Sequence, residues 1–100
     1  MKAVWTPLGL KSLEAATSFI EEQWGEAVAN TFLDQFDKRI EQLKRATHIG
    51  PTYEQTKFRQ LLIHPLVTLY YELKTNHISL VLVWANKQDP EELRKRLKQV

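Results

Sequence analysis

Apolar positions in the first half of the chain recur every three or four residues, and in the second half they alternate. Leu10, Leu13, Ala16, Thr17, Ile20 and Trp24 fall on one stripe of a helix. Its start is marked by Thr6, whose hydroxyl can cap free amides, and by Pro7, whose missing N–H costs nothing in a first turn. Gly25 is the expected stop, because a positive φ is easiest for glycine. Val28, Phe32, Phe36, Ile40 and Leu43 trace a second helix almost at once, and the short joint predicts an antiparallel helical hairpin. Before the hairpin, Lys2–Thr6 contains Val4 and Trp5 and ends at a proline, which predicts a first strand.

Residues 47–56, with Gly50 and Pro51, hold no sustained period and read as the one substantial loop. Lys57–His64 then reads as a strand broken by Pro65. In the next strand Val67, Leu69, Tyr71 and Leu73 alternate with Thr68, Tyr70, Glu72 and Lys74, so one face is expected to be buried and the other wet. Thr75, Asn76 and His77 supply a turn. Ile78–Ala85 is apolar on both parities except at Ser79, as a strand in the middle of a sheet should be. Asp89, Pro90 and Glu92 write the start of a last helix, with Leu93, Leu97 and Val100 as its apolar edge and Arg94, Lys95, Arg96 and Lys98 toward its negative end. The fold class is therefore α+β: a helical hairpin packed on one face of a mainly antiparallel four-stranded sheet, closed by a short helix.

One hundred residues that are 43% hydrophobic and 26% charged suit a single domain spanning 1–100. The absence of cysteine excludes disulfides, thiolate metal sites and a cysteine nucleophile. With no apolar run of signal-peptide or membrane-spanning length, a cytoplasmic protein without a membrane partner is expected. The net charge of +2 does not by itself demand a nucleic acid. Its distribution is uneven, with 6 basic and 7 acidic side chains in residues 1–50 and 8 and 5 in residues 51–100.

Candidate chemistry lies in that second half. Arg59 offers a planar fork suited to a phosphate or a carboxylate, or it forms a surface ion pair. Tyr70, Glu72 and Lys74 share one strand face and could supply an acid, a base and a cation, or be a solvated surface. His48, His64 and His77 have no spacing that places two of them on one metal, and no metal or cofactor is expected. His64, beside Pro65, is the histidine best placed for catalysis. Lys87 follows the last strand, a common place for target contacts, and Asp89 has a structural role as a cap. Arg94 opens a basic helical stretch that either meets an acidic partner or compensates the helix dipole. The three tryptophans occupy apolar registers and are expected in the core or at its edge.

The phrases Trp5-Thr6-Pro7, Trp24-Gly25, Ile49-Gly50-Pro51, Thr68-Leu69-Tyr70-Tyr71 and Asn86-Lys87-Gln88-Asp89-Pro90 occur in an order that resembles the RelE/ParE toxin superfamily, particularly its ParE-like branch. The resemblance implies a toxin of a bacterial type II toxin–antitoxin module, of the kind tied to plasmid stabilization. Its cognate antitoxin would wrap it, and growth inhibition would follow from binding a macromolecule, with DNA gyrase as the expected target. RelE-like members instead cut messenger RNA on the ribosome, using sheet cations and a terminal tyrosine or histidine. Here Thr68 stands where they carry an arginine, Lys87 is the nearest match to a further basic residue, and no aromatic residue or histidine follows Trp84. A ribosome-dependent endoribonuclease using Arg59, Lys87 and His64 or Tyr70 is the alternative, and a non-toxic binding protein is a third. Antitoxin or target contacts are expected at Arg59, Tyr70, Lys74, Lys87 and Arg94.

Overall fold

The computed structural model describes residues 1–100 and orders the elements as β1 (Lys2–Trp5), α1 (Pro7–Trp24), α2 (Glu26–Arg45), β2 (Phe58–His64), β3 (Val67–Leu73), β4 (His77–Ala85) and α3 (Pro90–Lys98). The strands form one sheet in the order β1-β4-β3-β2. β2, β3 and β4 are antiparallel neighbours, and β1 runs parallel to β4, so the sheet is mixed with β4 inside it.

Thr6 joins β1 to α1 in two ways. Its hydroxyl accepts from the Gly9 amide at 2.9 Å, capping the helix, and donates to the Leu80 carbonyl at 3.2 Å, tying the cap to β4. β1 pairs with β4 only as far as Trp5 opposite Leu80. Beyond that point α1 replaces a strand along the β4 edge. The Ser12 hydroxyl accepts from the Val83 amide at 2.8 Å and donates to the Gly9 carbonyl at 2.7 Å. Gly9 makes the approach possible, since a Cβ there would sit 2.2 Å from the Leu80 oxygen.

Gly25 ends α1 with φ of 93°, and its amide donates to the Glu21 carbonyl. This is the glycine stop that the sequence predicts, and α2 begins at the next residue. Ile20, Phe32, Phe36 and Leu43 from the hairpin bury against Leu69, Tyr71, Leu80 and Val83 of the sheet. Burial of each such side chain contributes about 1.5–3 kcal/mol. At the other edge of the sheet, β2 is protected rather than left open: Arg39 Nε donates to the Leu62 carbonyl at 3.1 Å, and residues 51–53 bond to Phe58 and Gln60.

The second face of the sheet departs from the sequence expectation. Thr68 and Tyr70, expected on a wet surface, are only 8% and 4% exposed. A bulge opposite Tyr70 and Tyr71 inserts Val81 into β4, because Tyr70 pairs with Leu82 while Tyr71 pairs with Leu80. Val81, Leu82 and Trp84 therefore join Tyr70 in a second apolar cluster, which Leu93 and Leu97 of α3 cover together with Tyr53 and Phe58. The tryptophans divide as well. Trp84 is buried, Trp5 stacks on Phe36 with ring centroids 5.6 Å apart, but Trp24 at the hairpin tip stays 46% exposed, against its expected place in the apolar stripe.

Candidate binding groove

The residues singled out in the sequence are dispersed, and most are committed to holding the fold. Arg59 donates from Nη1 to the Gly50 carbonyl at 2.7 Å, while the buried Tyr71 hydroxyl accepts from the Gly50 amide and donates to the Thr47 carbonyl, both at 3.0 Å. Together they clamp both backbone groups of Gly50. His64 Nδ1 accepts from the Leu66 amide at 3.2 Å, which leaves Nε2 to carry the proton in the neutral ring, and the imidazole meets Phe32 edge-on. Lys74 pairs with Glu72 at 3.2 Å, and Lys57 approaches the same carboxylate at 3.9 Å.

Tyr70, expected to contact a target or antitoxin, lies buried in the second apolar cluster. It packs edge-on against Tyr53 at 5.1 Å, and its hydroxyl makes no hydrogen bond within the chain. Burial pushes its pKa up to about 12, with the nearby Tyr53 and Glu54 adding to the rise. Such a group is a poor proton donor or acceptor near neutral pH. His48 and His77 bond to their own sequence neighbours, Thr47 and Asn76. No group of three or more His, Asp or Glu side chains is placed to hold a metal ion.

Lys87 and Arg94 remain at the surface, and Lys87 borders a different feature. Between α1 and α3 lies a groove of about 730 Å³ floored by the β4 residues Leu82, Val83, Trp84 and Ala85. Leu8, Ser12, Ala15, Ala16 and Phe19 form its α1 wall; Asp89, Glu92 and Arg96 line the α3 wall. The size falls within the range typical of binding clefts. Around the end of α1 it continues into an apolar crevice shared with Ala16, Phe19 and Ala85, where Trp24, Leu66 and Lys87 meet. Phe19 and Trp24 touch edge-to-face at 5.9 Å, yet both keep more than a third of their surface open. From Leu8 to Trp24 the α1 side of this track runs about 24 Å at the helical rise.

The groove's charges are sparse and mixed. Arg96 pairs with Glu92 at 3.2 Å, Asp89 caps α3 through the Glu91 amide, and Lys11 and Lys87 have no ion-pair partner. On the far side of α3, Arg94 Nε and Nη2 donate to one Glu54 oxygen at 3.2 and 3.0 Å, and Nη1 donates to Glu91. Sequence reasoning missed this track because the two apolar rows of α1 were not separated. Leu13, Ala16 and Ile20 face the core, while Leu8, Ala15 and Phe19, spaced seven and four apart, form a second row beside it.

Comparison with known proteins gives a consistent result. Residues 3–90 match the family model described as the ParE toxin of the type II toxin–antitoxin system parDE. Among solved structures, a chain of the chromosomal ParDE toxin–antitoxin system from P. aeruginosa superposes with a TM-score of 0.74 at 16% identity, over 85% of this chain and 95% of that one. No curated protein matches in sequence.

Proposed function

The chain belongs to the ParE toxin family of type II toxin–antitoxin systems, and on that premise we propose that it arrests growth by binding a macromolecular target and is neutralised when an antitoxin segment fills the α1–α3 groove. The observation that carries this reading is the groove itself: an apolar floor, an unfilled volume of about 730 Å³ and, along one wall, half-buried Leu8 with exposed Ala15 and Phe19. An amphipathic helix presents apolar side chains at i, i+3 and i+4 to such a groove and gains affinity from their burial. Isolated apolar side chains at a surface are common, but a contiguous apolar track marks an interaction site.

For the target, we favour DNA gyrase over messenger RNA on the ribosome. RNA cleavage needs a base near the attacking hydroxyl, an acid near the leaving oxygen and cations where negative charge accumulates. Arg59 is held on Gly50, His64 on the Leu66 amide, Tyr70 is buried, and Lys87 stands beside the groove. This dispersal supports action by binding. Purified chain added to a gyrase supercoiling assay is expected to inhibit it, and the protein encoded beside the chain's gene is expected to relieve the inhibition. Unimpaired supercoiling, together with new messenger RNA 5′ ends on induction, would replace the gyrase reading with the nuclease one.

No helix is long and apolar enough to cross a membrane. With a type II antitoxin made in the same compartment, the cytoplasm is the proposed location.

A further inference from the structure

α3 is the most lightly attached element of the fold. Its backbone makes only sparse approaches to the other elements, and its buried contribution is limited to Leu93 and Leu97. On the side facing away from the groove, one further contact ties it down: the two Arg94 nitrogens on Glu54 Oε1. Glu54 is also the single non-glycine residue with a positive φ, at 48°, a conformation that side-chain-bearing residues adopt at a cost unless something holds them there. The ion pair and the loop conformation thus occur at the same residue. Its guanidinium partner stands on the helix whose opposite side, through Glu92 and Arg96, lines the groove.

We propose that the Glu54–Arg94 pair is a latch that positions α3 as the movable wall of the groove, so that Glu54 and Arg94 act on partner binding without touching the partner. The partner half of this proposal rests on the docking reading above; the latch half concerns the free chain alone. When the pair is broken, α3 samples an undocked state hinged in residues 86–89, while the sheet and the α1–α2 hairpin remain folded. Groove width then fluctuates, and a segment bound there dissociates faster.

Backbone amide hydrogen exchange on the full chain tests the latch. Glu54→Gln removes the carboxylate charge, and Glu54→Gly removes the pair while relaxing the loop backbone. Both are expected to speed exchange of the α3 amides about threefold to fivefold, with β3 and β4 amides unchanged. Glu91→Gln, which breaks only the contact within the helix, is expected to leave α3 exchange within about twofold of the wild type. Unchanged α3 exchange in Glu54→Gln, or a uniform acceleration across all elements, would overturn the latch. For the partner half, the protein encoded beside the chain's gene serves as the probe, and its dissociation from Glu54→Gln is expected to be about threefold to fivefold faster. An unchanged dissociation rate overturns the role of α3 as a wall. Absence of binding to the wild-type chain defeats the docking reading, and with it the partner half, while the exchange result still decides the latch.

Discussion

Replacing Tyr71 by Phe removes one oxygen from the centre of the fold and should cost far more than its size suggests. The hydroxyl is the partner of two backbone groups, the Gly50 N–H and the Thr47 carbonyl, each at 3.0 Å, and the side chain is fully buried. A typical hydrogen bond contributes about 1 kcal/mol net, but stranding a buried donor costs about 1–3 kcal/mol. Water has little room to replace the hydroxyl: Gly50 is itself buried, and a Cβ on it would meet the Gln60 carbonyl at 2.4 Å. The expected loss is therefore about 2–3 kcal/mol, which for a domain of this size lowers Tm by about 10–20 °C. Urea unfolding followed by circular dichroism measures it, with Tyr70→Phe as the control. The Tyr70 hydroxyl has no hydrogen bond, so its removal should cost no more than about 0.5 kcal/mol. Equal effects in the two variants, or a Tyr71→Phe loss below about 0.5 kcal/mol, would refute the reasoning that the clamp on Gly50 holds the loop to the sheet.

Gly9→Ala sets a gain of about 1 kcal/mol in helix propensity against a Cβ placed 2.2 Å from the Leu80 oxygen, and a net loss on the order of 1–2 kcal/mol is expected in thermal unfolding. High pH should destabilise the protein through Tyr70. Its native pKa of about 12 exceeds the unfolded value near 10, so the native state keeps its proton longer; stability is intact below pH 10 and declines by on the order of 2 kcal/mol toward pH 12. Urea unfolding measured across that pH range would show the decline. Ala15→Arg places a long cation on the exposed α1 wall of the groove; antitoxin affinity should fall at least about tenfold with stability changed by no more than about 0.5 kcal/mol, as titration calorimetry and thermal unfolding would show.

The elements were legible because their signals are local. Thr6-Pro7 and Asp89-Pro90 mark helix starts by capping chemistry, Gly25 marks a stop by its φ, and the apolar run of β4 marks a strand covered on both sides. The face of Thr68 and Tyr70 was misread for a reason that is not local. Alternation separates two faces of a strand but does not say whether the polar-looking one meets water, and here α3 returns from the far end of the chain to cover it. Leu93 and Leu97, spaced one turn apart on an otherwise charged helix, were the available clue. The bulge that gathers Val81, Leu82 and Trp84 onto that face depends on pairing with β3 and leaves no mark in β4 alone.

Candidate site residues were harder to read than elements. Arg59 and His64 are polar groups on a sheet, a pattern that serves function and backbone satisfaction equally well, and their partners lie in the loop at Gly50 and the turn at Leu66. Lys87 was placed near a binding feature by its position after β4, but the groove beside it arises where α1 stands in for a missing strand. No local sequence signal encodes that juxtaposition.

The most direct test is to map the antitoxin's footprint on the isotope-labelled chain by amide and methyl chemical-shift changes, using the protein encoded beside the chain's gene. Shifts concentrated at Leu8, Ala15, Phe19, Leu82 and Ala85 are predicted. A footprint confined to the outer face of α2 or the edge of β2, with the α1–α3 groove unchanged, would contradict the account.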